Sequence, residues 1–165
     1  MEEAESPMTV GHEPPVYSLI LNPTDGSRAA RRASAHAIHL AKLTGAHMLA
    51  LYVIDESRAR RVGLSVRREE EELRGIGEEA TQAVVAAAAN AGVKADALVL
   101  EGQLGLTLAR VARERHASLM VMGYIGFPDL ERLLLRTATV WREILRDPPC
   151  PLLLVPAPEP MPDAG

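Results

Sequence analysis

Two short stretches, Leu119-Met120-Val121-Met122 and Leu152-Leu153-Leu154-Val155, are apolar at every position. They lack the in-out alternation of a strand that shows one face to water. Strands buried on both faces read this way, and they belong to parallel sheets with helices above and below. Three further strand candidates precede them, over residues 16–21, 48–54 and 97–100. Helical patterns fill the gaps. Ser27 is placed to cap a helix whose small apolar stripe is Ala30, Ala33, Ala37, Leu40 and Ala41, with Gly45 ending it. A long helix from Val66 to Ala91 carries Arg67, Glu70, Arg74 and Glu78 on its wet side and stops at Asn90-Ala91-Gly92. Leu104, Leu108, Val111 and Ala112 mark a third helix that begins near Gly105. A fourth begins around Arg136-Thr137, carries Val140, Trp141, Ile144 and Leu145 on its apolar stripe, and is stopped by Asp147-Pro148-Pro149. Strands alternating with helices in this way predict one doubly wound α/β domain with a five-stranded parallel sheet. It spans residues 16–155, between a flexible acidic arm (1–15) and a proline-rich tail (156–165).

Composition narrows the function classes. A chain of 165 residues can bury a sufficient core without disulfides. With a net charge of −4 and few aromatic residues, it offers neither a basic face for phosphate backbones nor platforms for stacked bases. A nucleic-acid partner is therefore not expected. The single cysteine, Cys150, excludes an intramolecular disulfide and a cysteine-based zinc cluster. No apolar run has transmembrane length, and the first residues are acidic, opposite to a signal peptide. The expectation is a cytoplasmic protein without a membrane partner.

Two glycine-bearing turns follow predicted strands. The first is Asn22-Pro23-Thr24-Asp25-Gly26-Ser27. The second is Met122-Gly123-Tyr124-Ile125-Gly126, followed after nine residues by Arg136-Thr137-Ala138. Glycine lets a backbone approach a ligand closely, and a following helix aims N–H groups and the positive end of its dipole at an anion. Each turn also has a plainer reading: Asp25 as a turn residue bonding its own backbone, Gly126 as relief for a tight loop. His36 and His39 lie three apart on one helix but lack a third metal ligand, so they read as solvated. Cys150, between prolines, reads as a small packed hydrophobe. The arginines at 58, 60, 61, 67 and 68, followed by Glu69 to Glu72, read as a wet charged surface. No nucleophile–base order or P-loop lysine motif stands out, so nothing identifies a catalytic nucleophile or base.

Taken together, these segments resemble the universal stress protein family. The resemblance rests on three signatures. They are Pro23-Thr24-Asp25-Gly26-Ser27 before an alanine-rich helix and Leu43-Thr44-Gly45-Ala46; Leu119-Met120-Val121-Met122-Gly123 with Gly126 and Thr137; and the close Pro149-Cys150-Pro151-Leu152-Leu153-Leu154-Val155. It implies a sheet of order 3-2-1-4-5, with strands one and four forming a topological switch point where ligands bind. It further implies an adenine-nucleotide site for ATP, ADP or AMP, with or without magnesium. Pro23 and Val53 would flank adenine, and Asp25, beside Thr24, would hold the ribose. Met122, Gly123 and Gly126, with Arg136, Thr137 and Ala138, would line the ribose–phosphate side. The family pattern has glycine where this chain has Arg136. That side chain either blocks the close backbone approach or points inward and clamps phosphate oxygens. Phe127 and Asp129 also depart from the usual phosphate side. The resemblance implies a homodimer through the last strand and a regulatory, stress-response role, with an unidentified protein partner allowed. A dimeric interaction protein without nucleotide, or a slow ATPase of the same fold, are the alternatives.

Overall fold

A computed structural model describes residues 16–55, 66–124 and 143–158, with the side chains of 66–69 excepted. Its elements are β1 (Leu19–Pro23), α1 (Arg28–Thr44), β2 (His47–Ile54), α2 (Val66–Asn90), β3 (Ala95–Glu101), α3 (Leu104–Glu114), β4 (Leu119–Tyr124) and β5 (Leu152–Pro156). A helical turn over 143–146 precedes β5. The sheet is parallel throughout, in the order β3-β2-β1-β4-β5. Among the described residues, no helix is long and apolar enough to cross a membrane.

Alternate residues of each strand feed two cores. Ile20, Met48, Ala50 and Val121 face α1 and α2, where Ala33, Ala37 and Ala41 of α1 meet Val84 and Ala88 of α2. Leu21, Leu49, Leu51, Met120 and Met122 face the other way, onto Leu108, Val111 and Ala112 of α3 and onto Ile144. The buried stripe of α1 is made of small residues, so this helix lies close to the sheet. Its ends follow the sequence. The Ser27 side chain accepts from the Ala30 N–H, and Gly45 closes the helix in the left-handed conformation (φ 73°) with its N–H on the Ala41 carbonyl.

Both ends of β1 and the turn near residue 144 differ from expectation. β1 begins at Leu19 rather than at residue 16, because the Ser118 hydroxyl takes the Ser18 and Leu19 N–H groups at 3.0 and 3.2 Å. The chain is tied there by a side chain, and Val16 is 76% exposed. At its other end β1 runs on through Pro23, held on the β2 side by the Thr24 N–H on the Leu51 carbonyl at 2.9 Å. Near residue 144, Ile144 is fully buried as expected, but Leu145 is 56% exposed. In this short helical turn Ile144 takes the inward position and Leu145 lies beside it toward solvent. The expected helix start at Arg136-Thr137, with Val140 and Trp141, lies outside the described residues.

Candidate functional site at the β1–β4 divide

β1 and β2 stay in register from Leu19↔His47 to Pro23↔Leu51, whereas β1 and β4 pair only at Ile20↔Leu119 and Leu21↔Met120. Beyond that point the paired register ends, and β1 leads on to β2 on one side of the divide while β5, which follows β4, lies on the other. This is the switch point at which open α/β sheets hold ligands. Proline contributes to the parting. The Ser118 N–H bonds the Leu19 carbonyl, so Leu19, Leu21 and Pro23 turn their backbone groups toward β4. Pro23 has no N–H to continue that ladder.

One wall of the divide is the turn after β1. Pro23 and Thr24 are buried, and Asp25 is exposed. The Gly26 N–H donates to Thr24 Oγ1 at 3.2 Å, and the Ser27 N–H to Asp25 Oδ1 at 2.9 Å. Gly26 adopts φ 75°, which favours glycine. The plainer reading of Asp25 is therefore realised on one carboxylate oxygen. The other takes no bond from any described residue, and the side chain is exposed. Register and alternation put Pro23, Val53 and Met122 on the same face of the sheet, with Val53 half-buried in the α3-side core. Pro23 and Val53, the two residues expected to flank a ligand, thus share one face at the ends of neighbouring strands.

Gly123 sits on the opposite face, against α1. A Cβ there would lie 2.7 Å from the Ala29 carbonyl carbon and 2.9 Å from both the Ala29 oxygen and the Ala30 nitrogen. The close approach at Gly123 is thus to a helix backbone. Gly126, Phe127, Asp129, Arg136, Thr137 and Ala138 lie outside the described residues.

Sequence reasoning passed over Asn22 and Ser34. Asn22 is 0% exposed in the middle of an apolar strand. Its Nδ2 donates to the Val121 carbonyl at 2.8 Å, and its Oδ1 accepts from Ser34 Oγ at 2.7 Å. The available signal was a polar residue directly before the proline of a buried strand. At the mouth of α1, Arg28, Arg31 and Arg32 are exposed and no acid occupies the first turn. Arg32 donates to the carbonyls of Pro156 and Ala157, both at 3.3 Å. Cys150 packs at the edge of the α3-side core, and burial pushes its thiol pKa up, away from thiolate reactivity. Among the described residues, no group of three or more His, Cys, Asp or Glu is placed to hold a metal. The divide thus carries apolar Pro23 and Val53 on one face, the exposed Asp25 carboxylate and the positive end of α1 nearby.

Residues 17–156 match the model of the universal stress protein family. A universal stress protein of Methanocaldococcus jannaschii is 36% identical over 148 residues, 87% of this chain and 85% of the relative. A universal stress protein family structure from Burkholderia pseudomallei is 28% identical with a TM-score of 0.69, covering 88% of this chain and all (100%) of that one. The structure of the protein MJ0577 superposes with a TM-score of 0.73 at 22% identity, over 88% of this chain and 99% of that chain. Three further structures of this fold were solved with a nucleotide: a universal stress protein with cAMP, one from Archaeoglobus fulgidus with dAMP, and one from Arabidopsis thaliana with AMP. They are 18%, 16% and 13% identical, with TM-scores of 0.60, 0.59 and 0.62. The three signatures, the strand order and the match over the whole folded region agree: this chain belongs to the universal stress protein family.

Proposed function

We propose that the protein is an adenine-nucleotide-binding regulatory module whose ligand lies across the β1–β4 divide. The observation that carries this reading is the Pro23–Val53 pair on one face beside an exposed Asp25 carboxylate whose second oxygen takes no bond from a described residue. Adenine would sit in the apolar slot and the ribose hydroxyls would donate to Asp25. The nucleotides held by relatives of the same fold, cAMP, dAMP and AMP, support the adenosine half. The phosphate half would fall to Gly126, Arg136, Thr137 and Ala138, with magnesium accompanying ATP if ATP is the ligand. Native mass spectrometry of the freshly purified protein tests this: a mass increment matching an adenine nucleotide is expected, and a bare chain that also takes up no added AMP refutes it.

The sheet edge supports a second part of the proposal, a homodimer. β5 is the outer strand, and Leu152, Leu153 and Leu154 are all half-buried. Its outer row of N–H and C=O groups is a template for pairing, and a second copy of β5 running antiparallel would cover it. Sedimentation equilibrium at micromolar concentration should return twice the mass of one chain. A monomer would remove β5 as an interface. Regulation would then run through nucleotide occupancy and the dimer, in the cytoplasm, toward a protein partner that the fold alone does not name.

A further inference from the structure

We propose that Asn22, locked by Ser34, is a positioning residue that sets the spacing between the two walls of the divide and thereby governs adenosine binding; the proposal rests on the nucleotide reading above. The β1–β4 ladder ends at Leu21↔Met120, and the next rung from β1 would have to come from Pro23, which has no N–H. The Val121 carbonyl turns toward β1 at this level, and the Asn22 carboxamide reaches it at 2.8 Å. A side chain replaces the missing backbone rung where the sheet begins to split.

Its orientation is chemically fixed. A carbonyl only accepts, so the group facing Val121 is the NH2, and Oδ1 must face the other way. There Ser34 Oγ meets it at 2.7 Å, closer than the Ala30 carbonyl at 3.0 Å that a mid-helix serine otherwise uses. Both side chains are buried, so water does not compete. Each end of this bridge lies next to a wall. Asn22 is followed directly by Pro23, Thr24 and Asp25, and Val121 by Met122 and Gly123. Ser34 stands one turn beyond Ala30, whose nitrogen lies 2.9 Å from where a Cβ on Gly123 would stand. One carboxamide therefore joins β1, β4 and α1 at the point where the ligand would sit. Asn22 does not touch the ligand itself.

The test is calorimetric titration with adenosine, which stays uncharged between pH 5 and 8, so any pH response belongs to the protein. Ser34→Ala leaves the carboxamide free to turn, and the dissociation constant should rise on the order of tenfold. Asn22→Asp places a carboxylate oxygen against the Val121 carbonyl at high pH. Full burial raises that carboxyl's pKa above the ordinary carboxylate range. As pH falls through this raised value, the acid regains an O–H donor for Val121. Binding by Asn22→Asp should therefore recover toward low pH while the wild type stays flat. Unchanged adenosine binding in both variants, or an Asn22→Asp loss indifferent to pH, overturns the proposal. If Asn22→Asp does not fold, Ser34→Ala alone decides. If the wild type binds no adenosine, the nucleotide reading fails, and the amide resonances of Thr24 and Gly123 decide instead. They must shift together in Ser34→Ala, and unmoved signals refute the positioning role.

Discussion

Replacing Gly123 by alanine is expected to lower the stability of the fold by about 3 kcal/mol, the upper end of what overpacking usually costs. The new methyl group would meet main-chain atoms of Ala29 and Ala30 at 2.7–2.9 Å, and main chain cannot step aside as a flexible side-chain end can. α1 would have to lift from β4, opening the alanine-lined seam of Ala33, Ala37 and Ala41. In a domain of this size, that loss lowers the melting temperature by roughly 6–12 °C. Gly75→Ala is the matched control. It lies inside α2 with nothing within 4 Å of its Cβ position, so alanine there should stabilise by about 0.5–1 kcal/mol. Chemical denaturation of the two variants should therefore move in opposite directions. Equal, small changes would mean that α1 does not lie as close to β4 as described.

Asp25→Ala should weaken binding of adenine nucleotides by about 1–3 kcal/mol, roughly 5- to 150-fold, the range for hydrogen bonds to a charged group. The carboxylate has two duties, since Oδ1 already accepts the Ser27 N–H at 2.9 Å. Asp25→Asn separates them. It retains an oxygen for Ser27, so the turn stays closed, while the ribose hydroxyls lose a charged acceptor. Affinity should then fall in the order wild type, Asn, Ala, with only the alanine variant losing measurable stability. If both variants bind AMP as the wild type does, Asp25 is a turn residue and nothing more.

Much of this architecture was legible before any coordinates. Uninterrupted apolar runs at 119–122 and 152–155 and the alanine stripe of α1 announced a parallel sheet under close-packed helices. The strand order entered by resemblance, since periodicity carries no information about which strand lies beside which. What stayed hidden depended on contacts between distant parts of the chain. The start of β1 is set by Ser118, about a hundred residues away, whose hydroxyl takes two N–H groups that a ladder would otherwise use. Gly123 read as a place for a ligand to approach, and its missing side chain also makes room for the backbone of α1. Asn22 read as the first letter of a polar turn, whereas its carboxamide faces inward to serve a carbonyl stranded by the next residue's missing N–H. Leu145 looked like core and is exposed beside the buried Ile144.

The location of the ligand is the claim on which the functional account stands, and NMR titration with AMP tests it most directly. Saturable shifts are expected at the amides of Thr24, Asp25, Gly26 and Ser27, at Leu51 and Val53, and at Met122 and Gly123. The exposed face of α1 around His36 and His39 should stay unmoved. Shifts confined to that face, or no shifts at all at millimolar AMP, would contradict a nucleotide site at the β1–β4 divide.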